Sequence, residues 1–337
     1  MADASLVERH RRGVVELSRE GAALAPSAPT ATIRNPEWFA IRRGELEPTY
    51  ARTQLHESLK HEYLEKCPDV RNESRAMVLA GPPGAGKSTA KGEVLGERAE
   101  QYLTVDADEF KAMLLREALR DGSYDSFIKP EAVKSLESLG EQFFPLELAS
   151  LVHEESSYLA KQLRDEALRE GKNVIIDTVL SSETSARELG RQLTVEGYTV
   201  EVLDVEVPYE ISQGRIVKRW QQSYEEATEK GGLGGRWVPS EYARGVFDGP
   251  NGKTKSEASA RVLAEECPAV QRYRVYRTTQ ESTPERPAVA SWEVDLQRAS
   301  RGGPLVDPQA AAAAKHYQAN TSPPPQIDPT RGHDFGR

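Results

Sequence analysis

The chain of 337 residues has few cysteines, no long apolar run and no excess of positive charge. With only Cys67 and Cys267, neither a disulfide framework nor a cysteine-ligated metal site is expected. No apolar stretch approaches the length of a membrane span, and the N-terminal residues lack the apolar segment of a secretory signal. We therefore expect a cytoplasmic protein with no membrane partner.

The charge balance is acidic, with 44 Lys and Arg against 53 Asp and Glu and a net charge of −9. Extended contact with nucleic acid needs a basic face that neutralises phosphates, so nucleic acid is not expected as a partner. A small anionic ligand remains compatible with this charge, because a few arginines in one cleft are enough to bind it.

The most informative motif follows the apolar run 77–80. Its spacing, G-x4-G-K-[ST] between a predicted strand and a predicted helix, is that of a phosphate-binding loop. The glycines let successive N–H groups point inward as an anion nest, Lys87 reaches the outer phosphates, and Ser88 joins the shell of Mg²⁺. The motif predicts binding of ATP or GTP with Mg²⁺. The nucleotide-binding residues are Gly81, Pro82, Pro83, Gly84, Ala85, Gly86, Lys87, Ser88 and Thr89.

Three parts are predicted along the chain: a helical extension with a linker (1–74), an α/β domain (75–303) and a disordered tail rich in proline and alanine (304–337). Short apolar strands that alternate with longer helices predict parallel βαβ units, a P-loop NTPase-type sheet flanked by helices. Ligands of such a sheet bind at the carboxyl ends of its strands. The predicted strands are 76–80, 102–105, 173–176, 198–207, 272–277 and 288–294, and the predicted helices of this domain are 88–99, 109–120, 146–169, 181–196, 209–229, 239–246 and 256–266.

Two carboxylates end predicted strands. Asp108 follows the second strand of the domain, where a kinase needs a carboxylate to accept the proton of the attacking hydroxyl; an Asp at a helix start is also a common cap. Asp177 and Thr178 follow the apolar strand 173–176. Asp177 there can hold Mg²⁺, contact a hydroxyl of the acceptor or simply be a solvated strand end.

Candidate residues also occur in two other places. Arg219 lies on the helix 209–229, and Arg236 follows the glycine-rich run 231–235, as expected either for a lid that neutralises transition-state charge or for an ordinary surface loop. Glu154 lies in the helix 146–169 beside His153, without the second histidine of a zinc motif. A structural or a substrate-contacting role therefore stays open for Glu154.

Together these motifs resemble the zeta toxin family of bacterial toxin–antitoxin kinases. The resemblance implies a P-loop kinase in which ATP phosphorylates the 3′-hydroxyl of the sugar of UDP-N-acetylglucosamine, with an antitoxin protein as a partner. It implies Lys87 as the phosphate clamp, Ser88 as the Mg²⁺ ligand and Asp108 as the general base. Arg219 and Arg236 correspond to arginines that stabilise the transferring phosphate, and Asp177 to an acidic substrate contact. The matching pieces are residues 81–89, 105–110, 173–177, 218–220 and 235–243.

One departure from the family concerns the acceptor pocket. Well-known members have Glu followed by Gly-Thr where this chain has Asp177, Thr178 and Val179. Another acceptor, such as NAD or a nucleotide, therefore remains an alternative, as does a regulatory NTPase switch, although the chain has no N-K-x-D guanine motif. We also hypothesise that the helix near residues 50–66 packs on the kinase domain, either to restrain it or as a purely structural element.

Overall fold

A computed structural model describes residues 4–279 and 289–321. The strands in these ranges are β1 (Phe39–Arg42), β2 (Glu45–Pro48), β3 (Arg75–Ala80), β4 (Leu103–Val105), β5 (Val174–Asp177), β6 (Thr199–Glu206), β7 (Val270–Thr278), β8 (Ala290–Arg298) and β9 (Leu305–Val306). The helices are α1 (Ala4–Leu17), α2 (Tyr50–Glu65), α3 (Lys87–Leu95), α4 (Ala107–Asp121), α5 (Glu131–Ser138), α6 (His153–Arg169), α7 (Glu183–Val195), α8 (Tyr209–Lys230), α9 (Ser240–Phe247), α10 (Lys255–Glu266) and α11 (Pro308–Thr321).

The central sheet has seven strands in the order β4-β5-β3-β6-β7-β8-β9. The strands from β4 to β7 pair in parallel, and their apolar residues are buried between helices on both faces. The predicted α/β fold with a P-loop-type sheet is therefore confirmed. Because β3 lies at the centre of the parallel part, the loop that follows it opens onto the middle of the carboxyl edge.

The last strands differ from the parallel pattern. β8 pairs antiparallel with β7, and β9 pairs antiparallel with β8. This antiparallel edge lies on the far side of the sheet from β4.

Part of the predicted tail is ordered. Residues 305–306 form β9 and residues 308–321 form α11. Alanine has the highest helix propensity, and proline fits the first turn of a helix, so the composition that suggested disorder also suits a short helix. Ala311 is buried. The prediction of disorder does not hold for residues 305–321, and residues 322–337 lie outside the described residues.

The N-terminal segment shares the core of the α/β unit, since Val14 and Leu24 are buried in the same cluster as Val78. From α2, the Tyr63 ring stacks on Phe110 with centroids 4.8 Å apart. The hypothesis that this helix packs on the α/β unit is confirmed. That residues 1–74 form a separate extension remains a prediction. That α2 restrains the domain also remains a prediction. In the part of the chain that the structure describes, no helix is long and apolar enough to cross a membrane.

Buried charges join α2 to α6. Glu155 is fully buried and accepts hydrogen bonds from Arg52 Nε (2.5 Å) and His56 Nε2 (2.7 Å). Burial alone would raise the pKa of Glu155, but the hydrogen bonds from His56 and Arg52 lower it to about 2. The neighbouring Glu154 is exposed to a cleft, so these two adjacent glutamates have different surroundings.

Candidate active site

The phosphate loop is supported from outside by α8. Ser212 Oγ donates to Pro83 O (2.7 Å), and Arg215 Nη1 donates to Ala85 O (2.9 Å). Gly84 has a φ of +72°, and a Cβ there would overlap the backbone oxygen of Ser212. The loop therefore needs glycine both for its own conformation and for the approach of α8. The first N–H groups of α3, which have no partner within the helix, face a bound anion in loops of this kind.

Lys87 contacts the end of the neighbouring strand. Its Nζ lies 2.7 Å from Asp177 Oδ1 and donates to Thr178 O at 3.1 Å. Because β3 and β5 are paired, with Leu79 opposite Asp177, the sheet brings Asp177 and Thr178 next to the phosphate loop. The ammonium group of Lys87 is thus held at the carboxyl edge of the sheet.

Asp108 lies in the first turn of α4 and is bound by two cations. Its Oδ1 accepts from Lys111 Nζ (3.0 Å) and from Arg236 Nη1 (2.6 Å). Burial would raise the pKa of Asp108, but the charges of Arg236 and Lys111 lower it. Both cations bind the same oxygen, and no described residue donates a hydrogen bond to Oδ2. Asp106 caps α4 by accepting from the Asp108 amide (2.8 Å).

Lys111 was not predicted as a site residue. Its position three residues after Asp108 on one helix places the two on the same face, and this spacing was the available signal. Burial lowers the pKa of Lys111, although Asp108 opposes that shift.

The two predicted arginines lie close to each other in the cleft. Desolvation and the charge of Arg236 lower the pKa of Arg219. The charge of Asp108 opposes this shift only in part. Arg236, in the segment between α8 and α9, is half-buried and paired with Asp108. The guanidinium groups therefore concentrate positive charge beside one carboxylate, an arrangement that favours a multiply charged anion.

Asp106 was also not predicted as a site residue. Burial and the charges of Asp108 and Asp177 raise the pKa of Asp106. No group of three or more His, Cys, Asp or Glu arranged to hold a metal occurs within residues 4–279 and 289–321. Mg²⁺ commonly takes one or two carboxylates together with phosphate oxygens, so the donors Ser88 and Asp106 fit its chemistry.

These residues surround a cleft of about 1060 Å³, larger than the 300–1,000 Å³ typical of a site for one small ligand. Desolvation and the charge of Lys111 lower the pKa of His153 to about 4, so this cleft residue is neutral at pH 7. Ser18 and Glu20, from the segment after α1, also line the cleft and were not predicted. Gly81, Pro82 and Thr89 do not line it. The predicted residues that do are Pro83, Gly84, Ala85, Gly86, Lys87, Ser88, Asp108, Glu154, Asp177, Thr178, Arg219 and Arg236.

The parallel sheet, the phosphate loop after its central strand and the arginine-rich cleft define a protein with a P-loop kinase-like fold. The model of the zeta toxin family matches residues 60–283, more than half of the sequence. The chain belongs to the zeta toxin family, as its motifs predicted.

The chain is also similar to individual known proteins. The calmodulin calcium-dependent NAD kinase of Arabidopsis thaliana is 27% identical over 161 residues, which cover 46% of this chain and 27% of that protein. The chain thus matches only about a quarter of the length of this curated relative. The crystal structure of AvrRxo1-ORF1:AvrRxo1-ORF2 with sulphate ions has a TM-score of 0.52 and 18% identity, covering 80% of this chain and 73% of that chain. The structure of AvrRxo1-ORF1:-ORF2 with ATP has a TM-score of 0.51 at the same identity and coverage. At this identity the likeness shows the fold alone.

Proposed function

We propose that the protein is an ATP-dependent kinase that phosphorylates the 3′-hydroxyl of the sugar of UDP-N-acetylglucosamine. The observation that carries the proposal is the placement of Asp108, paired with Arg236, in the same cleft as Lys87 and the phosphate loop. Membership of the zeta toxin family supports phosphoryl transfer, and the ATP complex of a structural neighbour supports ATP as the donor.

The donor phosphates bind at the N-terminus of α3, where Lys87 exchanges its contact with Asp177 for the outer phosphates. Ser88 and Asp106 would hold Mg²⁺, which neutralises phosphate charge when it is bound. The raised pKa of Asp106, caused by burial and by its carboxylate neighbours, indicates a site that a cation would stabilise.

The acceptor hydroxyl approaches the Oδ2 atom of Asp108. The oxygen of the acceptor hydroxyl forms the new bond to the γ-phosphorus, and the bond from that phosphorus to the bridging oxygen of ADP breaks. The proton of the hydroxyl passes to Asp108. The charges of Arg236 and Lys111 lower the pKa of Asp108 and keep it ionised at neutral pH, the form that can accept this proton. Arg219 and Arg236 offset the charge on the transferring group.

The acceptor contacts are Asp177, Thr178 and Glu154, all of which line the cleft. A second candidate acceptor is NAD, which the match to an NAD kinase favours. We also propose an antitoxin protein as a partner, since the solved structural neighbours are complexes of two proteins.

The test incubates the full chain with γ-labelled ATP, Mg²⁺ and either UDP-N-acetylglucosamine, NAD or no acceptor. We expect labelled UDP-N-acetylglucosamine, with the phosphate located on the 3′-oxygen by NMR. Asp108→Asn should lower this transfer by ~10²–10⁴-fold, because the hydroxyl loses its base. Glu109→Gln, at the adjacent carboxylate that contacts Lys66, is the matched control and should change little.

Other outcomes would contradict the proposal in distinct ways. Label found only on NAD would mean that the protein is a kinase whose acceptor is NAD and not UDP-N-acetylglucosamine. Hydrolysis of ATP that needs no acceptor and is unaffected by Asp108→Asn would instead favour a regulatory NTPase switch.

A further inference from the structure

Glu147 is a buried carboxylate outside the cleft that joins separate parts of the chain. It is 2% exposed and accepts hydrogen bonds from His10 Nε2 (3.0 Å), Trp220 Nε1 (3.0 Å) and the Phe144 amide (2.9 Å). These donors belong to α1, to α8 and to the turn that precedes Glu147. A carboxylate with several such bonds is fixed in position, because moving it would leave buried charge and buried donors unpaired.

The lid segment, residues 231–239, rests on the Phe144 turn at one end. The Leu146 amide donates to Leu233 O at 2.8 Å. A Cβ on Gly234 would overlap the Phe144 side chain, so the lid backbone lies directly against that ring. The Phe144 amide is one of the groups that Glu147 binds, so this support of the lid is attached to the carboxylate.

Trp220 supports the other end of the lid segment. A Cβ on Gly235 would overlap the backbone of Trp220, and the Trp237 ring lies edge-on to the Trp220 ring with centroids 5.9 Å apart. Arg236 lies between these two lid residues and reaches Asp108 Oδ1 at 2.6 Å. Both surfaces that hold the arginine therefore include a donor to Glu147.

We propose that Glu147 is a positioning residue for Arg236. Its carboxylate holds the Phe144 turn and the Trp220 ring in one arrangement, and the lid segment placed on them directs the guanidinium toward Asp108. His10 completes the site, so α1 belongs to the support of the lid. The importance of Arg236 rests on the proposed function, but the position of the lid does not.

Hydrogen exchange measured by mass spectrometry on the full chain tests this inference without any substrate. Glu147→Gln keeps the side-chain volume but removes the charge and turns one acceptor into a donor. We expect exchange of the Leu146 amide, which donates to Leu233 O of the lid segment, to rise by ~10-fold or more, as the loss of a buried charged hydrogen bond implies. Peptides from β3 and β6 should keep their protection. Unchanged exchange of the Leu146 amide would overturn the inference.

The matched control is Glu141→Gln. Glu141 contacts the other nitrogen of the same histidine, His10 Nδ1, at 3.3 Å, but is not a partner of Trp220 or of the Phe144 amide. In Glu141→Gln, exchange of the Leu146 amide should equal that of the wild type. An equal rise in both variants would attribute the effect to His10 alone and reject Glu147 as the positioning residue.

A second variant covers the case in which Glu147→Gln does not fold. Trp220→Phe removes the Nε1–H donor and keeps an aromatic ring, so it should also speed exchange of the Leu146 amide, by a smaller factor. Leu146 exchange equal to the wild type in this variant would overturn the inference.

Activity gives an independent readout. Glu147→Gln should lower kcat for phosphate transfer from ATP by ~10-fold and leave KM for ATP unchanged, because the phosphate loop is untouched. If the chain transferred phosphate to no acceptor, the proposed function would fail while the exchange result still decided the role of Glu147.

Discussion

The phosphate-loop end of the cleft comes from one short stretch, residues 83–88, whereas the lid end gathers side chains from segments far apart in the chain. The first end uses backbone N–H groups and one lysine. The second uses Lys111 from α4, Arg219 from α8 and Arg236 from the lid segment, all near Asp108.

This difference separates binding from rate. Backbone groups at a helix N-terminus bind phosphate equally in the ground state and the transition state, so losing their support weakens affinity for ATP. Side-chain cations near the transferring group act where charge develops, so losing them lowers kcat. Variants at the two ends should therefore change different kinetic constants.

Arg236→Ala should have the largest effect. Loss of this guanidinium should lower kcat by ~10³–10⁵-fold, as for other arginines that stabilise phosphoryl transfer, and leave KM for ATP nearly unchanged. Steady-state kinetics measure both constants. Arg244→Ala, which alters an arginine over the Tyr209 ring instead, is the control. A raised KM with an unchanged kcat would assign Arg236 to binding and remove the distinction.

Lys111→Met should change the pH profile. Without this cation, the carboxylate of Asp108 is less stabilised and its pKa rises, so the acid limb of kcat/KM should move to higher pH. At pH 8, where Asp108 is ionised in both proteins, the difference in rate should be smallest. Lys66→Met, at a lysine that contacts Glu109 instead, should leave the profile unchanged. An unmoved acid limb would show that Asp108 is not the titrating base.

Arg215→Met tests the phosphate-loop end of the cleft. Its guanidinium supports Ala85 O and Gly84 O, so its loss should raise the dissociation constant for ATP by ~10-fold while kcat at saturating ATP changes less. Calorimetric titration with ATP measures the affinity, with the exposed neighbour Lys218→Met as the control. An effect on kcat alone would mean that the loop does not depend on α8 for binding.

Asp204→Asn should affect neither end of the cleft. Asp204 is 0% exposed, and its carboxyl group pairs with that of Glu206 rather than with a described basic or amide donor. Burial and the charge of Glu206 raise its pKa, and burial raises the pKa of Glu206 to about 7. Folded-state pKa values above the unfolded ones mean that stability is lost as pH rises through them.

The variant should therefore be more stable than the wild type by about 1–3 kcal/mol at pH 8 and by less at pH 5. Urea unfolding at the two pH values measures the difference. Equal gains at both would show that the pair does not titrate. Lower transfer activity in this variant would link the acid pair to the cleft and weaken the comparison of the two ends.

The sequence was most informative where function depends on adjacent residues. The phosphate loop needed only its own spacing, and the parallel strands only their apolar runs. Asp106 and Lys111 lie within five residues of each other, yet their roles depend on Asp177 and Arg236, which come from remote segments. Glu147 resembles any helical glutamate until its three donors are brought around it.

By itself, the sequence determined the sheet, the loop, the family and the identity of the residues that could carry a reaction, because strand periodicity and glycine conformation belong to contiguous backbone. Only the tertiary structure decided which oxygen of Asp108 is left without a donor, which carboxylate supports the lid, and that the segment after α1 lines the cleft. Those properties depend on distances and desolvation between segments that are far apart along the chain, and no local pattern encodes them.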